Sequence, residues 1–204
     1  MARARGYPWR AADPEPSSAE AVAGALRSGA VAVLAYGSNA SPAVLARKLG
    51  DATAAAVLAQ PVMLADTDVV FSAHVSLHGA IPATLTRAPG TEVDAWLLAV
   101  PAAAIPVLDA TEPNYVRARR AEWMGHGFQA YVSRHGALRI DGAPVALAAV
   151  AARGRTLPAL TEAQLLEKVR QRLAPNDAPD GFVLAQLTDD RVRLARSAAL
   201  RNGL

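Results

Sequence analysis

Cysteine is absent from the 204-residue chain. That absence excludes thiolate catalysis, Cys-ligated zinc, iron–sulfur clusters and a disulfide framework. Aromatic residues make up only 5% of the sequence, and none interleaves with the C-terminal arginines as a base-stacking surface would require. No run reaches the 18 or more apolar residues of a membrane span. The basic start, Met1 to Arg10, has no apolar stretch behind it and does not read as a signal peptide. A cytoplasmic protein that does not enter the membrane is expected. Lysine is almost missing: 19 of the 21 basic residues are arginine, and against 18 acidic groups they leave a net charge of +3. So small a surplus predicts only weak, non-specific attraction to nucleic acid, lost at physiological salt.

Several motifs are missing as well. There is no Walker A loop and no G-x-G-x-x-G fingerprint, which disfavours nucleotide binding, and Ser38 lacks the G-x-S-x-G frame of a serine hydrolase. His74 and His78 are four apart in a strand-like context without a third ligand set, so no metal site is expected.

What the chain does contain is a hydrophobic fraction of 52%, of which 48 residues are alanine and another 48 are Leu, Ile, Val or Phe. That is enough to fold a domain of this size without staples. Residues 1–16, with three arginines and three prolines, predict a flexible arm dispensable for the core or extended over its surface. Residues 17–204 predict a single domain, since no linker divides them. Ser17-Ser18-Ala19-Glu20 opens a short helix closed by Ser28-Gly29, and Ala30 to Tyr36 is a continuously apolar strand. Ser41-Pro42 caps a helix over Ala43 to Leu49. Four strands of a meander are expected at Ala54 to Leu64, Val69 to Leu77, Ile81 to Arg87 and Val93 to Val100. A helix over Ala102 to Ala110 follows. Further strands are expected at Tyr115 to Trp123, Phe128 to Arg134 and in a hairpin around Asp141-Gly142. Helices from Thr161 to Leu173 and from Thr188 to Leu200 close the chain, with Arg191, Arg193, Arg196 and Arg201 spread around the last one and solvated.

Two features carry chemistry. A buried strand that runs through Gly37-Ser38-Asn39 into a helix exposes backbone N–H groups at one spot, suited to a carboxylate or phosphate; a plain tight turn satisfies the same pattern. Glu112 follows Leu108-Asp109-Ala110-Thr111 at a helix C-terminus, where the dipole disfavours a carboxylate and burial would tune it for proton transfer. Pairing with Arg117 or Arg119 is the plainer role for it, and the residues alone do not choose between Glu112 and Asp109 as the functional acid.

Leu34-Ala35-Tyr36-Gly37-Ser38-Asn39, Gly79 to Leu85, Pro89-Gly90-Thr91-Glu92-Val93, Leu108 to Glu112, Tyr115-Val116-Arg117 and Ala174-Pro175-Asn176-Asp177 occur in order over about residues 30–182. This ordered set resembles the γ-glutamylcyclotransferase-like family. The resemblance implies an α/β (α+β) fold, a mixed, mainly antiparallel β-barrel with flanking helices. It implies a cofactor-free enzyme that cyclises a γ-glutamyl compound to 5-oxoproline and releases an amine or amino acid. Glu112 would be the general acid/base, and the loop Ala35, Tyr36, Gly37, Ser38 and Asn39 would hold the substrate, with Tyr115 orienting the acid or lining the pocket. A non-catalytic small-molecule binding protein on the same fold is the alternative. Pro113 stands where a glycine commonly follows the glutamate, Asp94 where a strand glycine is usual, and Pro82 in the strand bordering the pocket; the late tyrosine of some members has no counterpart. If the implication holds, Glu112 faces a cavity within hydrogen-bonding reach of residues 37–39.

Overall fold

A computed structural model of the chain describes residues 2–9, 12–123 and 125–204. The chain begins with α1 (Ala2–Arg5) and α2 (Ala19–Arg27). Ser18 Oγ caps α2 by accepting the Ala21 N–H at 3.1 Å, which satisfies one of the orphan donors of the first turn. β1 (Val31–Ala35) then leads through a 3₁₀ turn, Ser38–Ala40, into α3 (Pro42–Leu49), where Pro42 takes the first helical position.

The expected four-strand meander is replaced by two long strands. A short α4 (Asp51–Ala55) occupies the start of the first expected strand, and β2 (Leu58–Phe71) and β3 (Ala83–Val100) follow. The breaks anticipated near Asp66 and Gly90 are absorbed inside these strands. Asp66 lies at φ 51° and Gly90 at φ 75°, and Asp66 Oδ1 accepts the Gly90 N–H at 2.8 Å. The carboxylate thus supplies a hydrogen bond where two strand residues depart from extended backbone. Pro82 precedes β3 rather than interrupting it, and its carbonyl accepts the Ser72 N–H at 2.6 Å.

Next come α5 (Ile105–Ala110), β4 (Tyr115–Trp123) and β5 (His126–Ser133). The hairpin around Asp141-Gly142 pairs Arg139–Ile140 with Ala143–Pro144, and both turn residues have positive φ, 52° and 81°, as a type I′ turn demands. Three helices end the chain: α6 (Glu162–Leu173), α7 (Pro179–Thr188) and α8 (Asp190–Arg201). α6 starts with a capping box between Thr161 and Gln164. α7 is not anticipated from the sequence, because its apolar residues follow no helical stripe. Arg193 and Arg196 are not solvated as expected. Each is 8% exposed; Arg196 lies 3.6 Å over the Phe182 ring and donates to Gln186 Oε1 at 3.0 Å, and Arg193 donates to the Gln186 carbonyl at 3.2 Å. Their guanidinium groups tie α8 to α7, so solvation is replaced by fixed acceptors and an aromatic face.

The chain forms two compact units: Met1–Trp9, Ala65–Glu92 and His135–Leu204 in the first, Arg10–Leu64 and Val93–Arg134 in the second. The divisions within 17–204 include points inside β2 and β3, which is why no linker marks them in the sequence. In the second unit β1 is paired on both sides, antiparallel to β3 (Val31↔Val100 through Ala35↔Trp96) and parallel to β5 (Val33↔Gln129, Leu34↔Ala130), while β5 pairs antiparallel with β4. In the first unit β2 pairs antiparallel with Ala146–Leu147, which pairs parallel with Ala159–Leu160. The fold is thus mixed α+β with a large, mainly antiparallel sheet.

The sheet is not the closed barrel expected. Its hydrogen-bonded order starts at Ala159–Leu160 and ends at β4, and among the described residues these ends do not pair. One end is a strand of two residues, and the other carries Arg117 and Arg119, so neither is built to close the ring.

Of the expected N-terminal arm, Met1, Arg10 and Ala11 lie outside the described residues. Ala4 and Tyr7 are buried in the first unit, where Tyr7 Oη accepts the Ala83 N–H at 3.0 Å. The same unit holds a buried carboxyl. Glu162 is 1% exposed; its Oε1 accepts the Ile81 N–H at 2.7 Å, and its Oε2 has no hydrogen-bond partner among the described residues. Burial raises the Glu162 pKa well above the usual glutamate value, partly opposed by the Ile81 N–H. A carboxyl that holds its proton more tightly when folded stabilises the protein at low pH, and that contribution is lost as pH rises from the unfolded pKa toward the folded one. Relative to Glu162→Gln, the parent is expected to lose stability by up to about 1.4 kcal/mol per pH unit above about pH 4.5. Urea unfolding at a series of pH values checks this, and parallel stability curves for the two proteins would contradict it.

Candidate active site

The second unit brings the two chemistry-bearing segments together. β1 is buried because it is apolar on both faces and paired on both sides, so its C-terminal end delivers the chain at a fixed point. Ala35 ends the strand and Tyr36 is 5% exposed, its hydroxyl donating to the Tyr131 carbonyl. Gly37 has φ −121° and ψ −136°, and the Ser38–Ala40 turn begins directly after it. Neither Gly37 nor Asn39 takes a positive φ. A short 3₁₀ turn serves instead, whose opening N–H groups have no acceptor within the turn itself.

Asn39 faces Glu112. Its Nδ2 donates to Glu112 Oε1 at 2.9 Å. Lys48, in the last turn of α3, donates from Nζ to the same Oε1 at 2.6 Å and to Asn39 Oδ1 at 2.8 Å, closing a three-membered ring of hydrogen bonds. The side chains of Lys48 and Glu112 are 15% and 14% exposed, so this ion pair is largely removed from water yet still reachable. Sequence reasoning missed Lys48. The one available signal was its rarity, as one of two lysines among 21 basic residues.

Glu112 sits where the sequence places it, just beyond α5, and its carbonyl accepts the Tyr115 N–H at 3.0 Å. Pro113 therefore occupies the second position of a four-residue turn, for which its fixed φ is suited. The proline that departs from the family pattern thus fits the local geometry. Tyr115 opens β4 opposite Ser133 and packs against the core cluster that includes Leu108 and Trp96. A cavity of about 290 Å³ in this unit is lined by Pro42, Leu45, Ala46, Val57 and Leu98 among others, and Glu112 is not among its lining residues.

Asp109, the other candidate acid, is differently occupied. Arg117 grips it with two hydrogen bonds, Nε to Oδ1 at 2.8 Å and Nη2 to Oδ2 at 3.1 Å, and the Tyr131 hydroxyl donates to Oδ1 at 2.7 Å. Arg117 also donates to Gln129 Oε1. The Arg117 hydrogen bonds hold the Asp109 carboxyl below the usual aspartate range, and burial followed by the Asp109 hydrogen bond pushes the Tyr131 phenol up. An acid held ionised in this way is a poor proton shuttle at neutral pH. The pairing of Glu112 with Arg117 considered from sequence is replaced by the Asp109–Arg117 pair.

His74 and His78 belong to the first unit. His74 is 3% exposed with Nδ1 2.7 Å from Ser72 Oγ; burial foremost, then the charges of His135 and Arg201, lower its pKa to about 3. His78 makes an edge contact with Trp9. Among the described residues no group of three or more His, Asp or Glu side chains could hold a metal ion.

No family model matches the sequence, and no curated protein matches it. Solved structures do match part of it. One is described as "Gamma-glutamyl cyclotransferase", with 18% identity and a TM-score of 0.41, and another is an uncharacterized protein from Homo sapiens, with 19% identity and a TM-score of 0.38. Half of this chain is similar in structure to a solved γ-glutamyl cyclotransferase. Each alignment covers 51% of this chain and 66% of the matched one. No described helix is long and apolar enough to cross a membrane.

The network around Asp109 generates a test of its own. Because its folded pKa is lowered, Asp109 contributes stability above its unfolded pKa, and that contribution is lost as pH falls through the folded value. The carboxyl-carbon NMR titration of Asp109 is expected to have its midpoint below the ordinary aspartate value, and Arg117→Ala is expected to move it upward. A midpoint unchanged by Arg117→Ala would contradict the pairing.

Proposed function

We propose that this protein is a cofactor-free enzyme of γ-glutamylcyclotransferase type, converting a γ-glutamyl compound to 5-oxoproline with release of an amine or amino acid. The observation that carries the reading is the hydrogen bond from Asn39, on the turn after β1, to the Glu112 carboxylate. It joins, in one partly buried spot, the two segments that the sequence resemblance pairs as substrate loop and acid/base.

In this reading the α-carboxylate of the substrate lies against the backbone N–H groups of Tyr36, Gly37 and Ser38. Glu112 accepts a proton from the α-ammonium, and the freed amine attacks its own γ-carbonyl carbon. A new C–N bond closes the five-membered ring. The tetrahedral intermediate then expels the original γ-substituent, whose nitrogen takes the proton back from Glu112-H. The ring nitrogen, left with two hydrogens by the attack, passes one of them to that departing amine, which leaves as an ammonium while the ring becomes the neutral lactam. Nucleophile and electrophile share one molecule, so the protein's work is to fold the γ-glutamyl chain into attack geometry and move one proton. The opening N–H groups of the 38–40 turn can also face the developing oxyanion. Glu112 meets Lys48 in the free protein, and it must leave that ammonium to receive the substrate's.

A second reading, a non-catalytic binder of the same ligand class, is favoured by that same contact, since Lys48 already occupies the carboxylate. A polyanion-binding role has less support, because Arg193 and Arg196 are buried against α7.

Turnover separates the first two readings. With γ-glutamyl peptides and γ-glutamyl amines as substrates, 5-oxoproline release is expected from the parent, and Glu112→Gln is expected to lower kcat/KM by about 10²–10⁴-fold while the near-ultraviolet circular dichroism stays unchanged. A folded Glu112→Gln protein with undiminished turnover would remove Glu112 from the role. Binding of 5-oxoproline without turnover by the parent would establish the binder.

A further inference from the structure

We infer that Lys48 is the specificity-determining residue of this site, reading the substrate's α-carboxylate and exchanging its own partner, Glu112, for that carboxylate when ligand binds. The inference rests on the α-amino acid ligand proposed above and deepens it by naming which group selects that ligand.

Lys48 Nζ and Glu112 Oε1 are 2.6 Å apart and mostly screened from water, with Asn39 bridging both through its amide. An ammonium beside a carboxylate is the complement of an α-amino acid head group, which presents the same two charges in reverse. Binding of such a head group replaces one ion pair by two, Lys48 with the ligand carboxylate and Glu112 with the ligand ammonium. No unpaired charge is left in a partly desolvated place at either stage, which is the condition that makes a charged pocket tolerable. The exchange also leaves the Glu112 carboxylate facing the proton it is to accept.

Geometry favours lysine for this task. Its ammonium is a compact point charge on a flexible four-carbon stem, able to swing between two oxygens a few ångströms apart, whereas the planar fork of arginine commits to one bidentate partner. Asp109 and Arg117 illustrate the second behaviour in the same unit. In a chain whose cations are otherwise almost all arginine, the movable cation stands at the carboxylate that has to be released. Asn39 can keep its hydrogen bond to either charged group through the exchange, because its amide both donates and accepts.

The consequence is selection for a free α-carboxylate. Isothermal titration of the whole protein with L-glutamate and with its α-carboxamide, which share the α-ammonium and differ only in that carboxylate, reads the selection directly. The parent is expected to bind the carboxylate at least about tenfold more tightly, as a hydrogen bond to a charged group implies. Lys48→Met, which keeps the apolar stem, is expected to bring that ratio close to one while leaving carboxamide affinity within about threefold. Should the methionine variant lose its folded thermal transition, Lys48→Gln keeps a donor without the charge and is expected to give the same loss. Lys48→Arg is expected to restore part of the ratio. A variant without the cation that still prefers the carboxylate tenfold would overturn the Lys48 assignment, while leaving a Glu112-dependent turnover intact. A parent that binds neither compound and shows no turnover would overturn the α-amino acid reading itself, and this inference with it.

Discussion

The placement of β1 constrains everything around the candidate site. A five-residue strand with four buried positions, hydrogen-bonded in register to β3 on one edge and to β5 on the other, cannot shift by one residue without breaking both ladders. The end of that strand therefore fixes where the Gly37-Ser38-Asn39 segment emerges, and Asn39 in turn fixes the Glu112 carboxylate. α3 leaves the same turn through Ser41 and Pro42 and carries Lys48 to the third corner of the ring. Trp96 and Leu98 of β3, with Leu108 of α5, pack with β1 residues in one cluster, so the helix that precedes Glu112 is anchored to the strand that supplies its partner.

Two ion pairs divide the acidic chemistry between them. Asp109 and Glu112 are three residues apart, yet Arg117 binds one with both arms of its guanidinium and Lys48 touches the other with a single ammonium. The first arrangement, reinforced by the Tyr131 hydroxyl, holds a carboxylate ionised and still. The second leaves one oxygen of Glu112 outside the ring that Asn39 and Lys48 form on Oε1. What the residues alone left undecided, the choice between the two acids, turns on which cation each one meets.

Much of this was legible in the sequence. The apolar run ending at Tyr36, the Ser41-Pro42 helix start, the Thr161 capping box and the Asp141-Gly142 turn are each specified by a local rule, and each appears where that rule puts it. The errors arise where distant residues change a local preference. Asp66 and Gly90 look like strand breakers until the carboxylate of one accepts the N–H of the other across 24 residues. Arg193 and Arg196 look solvated until Phe182 and Gln186, on a helix without an apolar stripe, supply a ring face and acceptors. Glu162 begins a helix as a first-turn acid should, yet it is buried against Ile81. Lys48 carried no motif, and only the folded turn shows which carboxylate it reaches.

The central claim is that the ring formed by Asn39, Lys48 and Glu112 is a head-group site for an α-amino acid. A crystal of the protein soaked with L-glutamate tests it most directly. The α-carboxylate is expected on Lys48 Nζ and the N–H groups of the 37–38 segment, with the α-ammonium on Glu112 and the 2.6 Å Lys48–Glu112 contact lengthened. Ligand bound elsewhere on the protein, with that contact undisturbed, would contradict it.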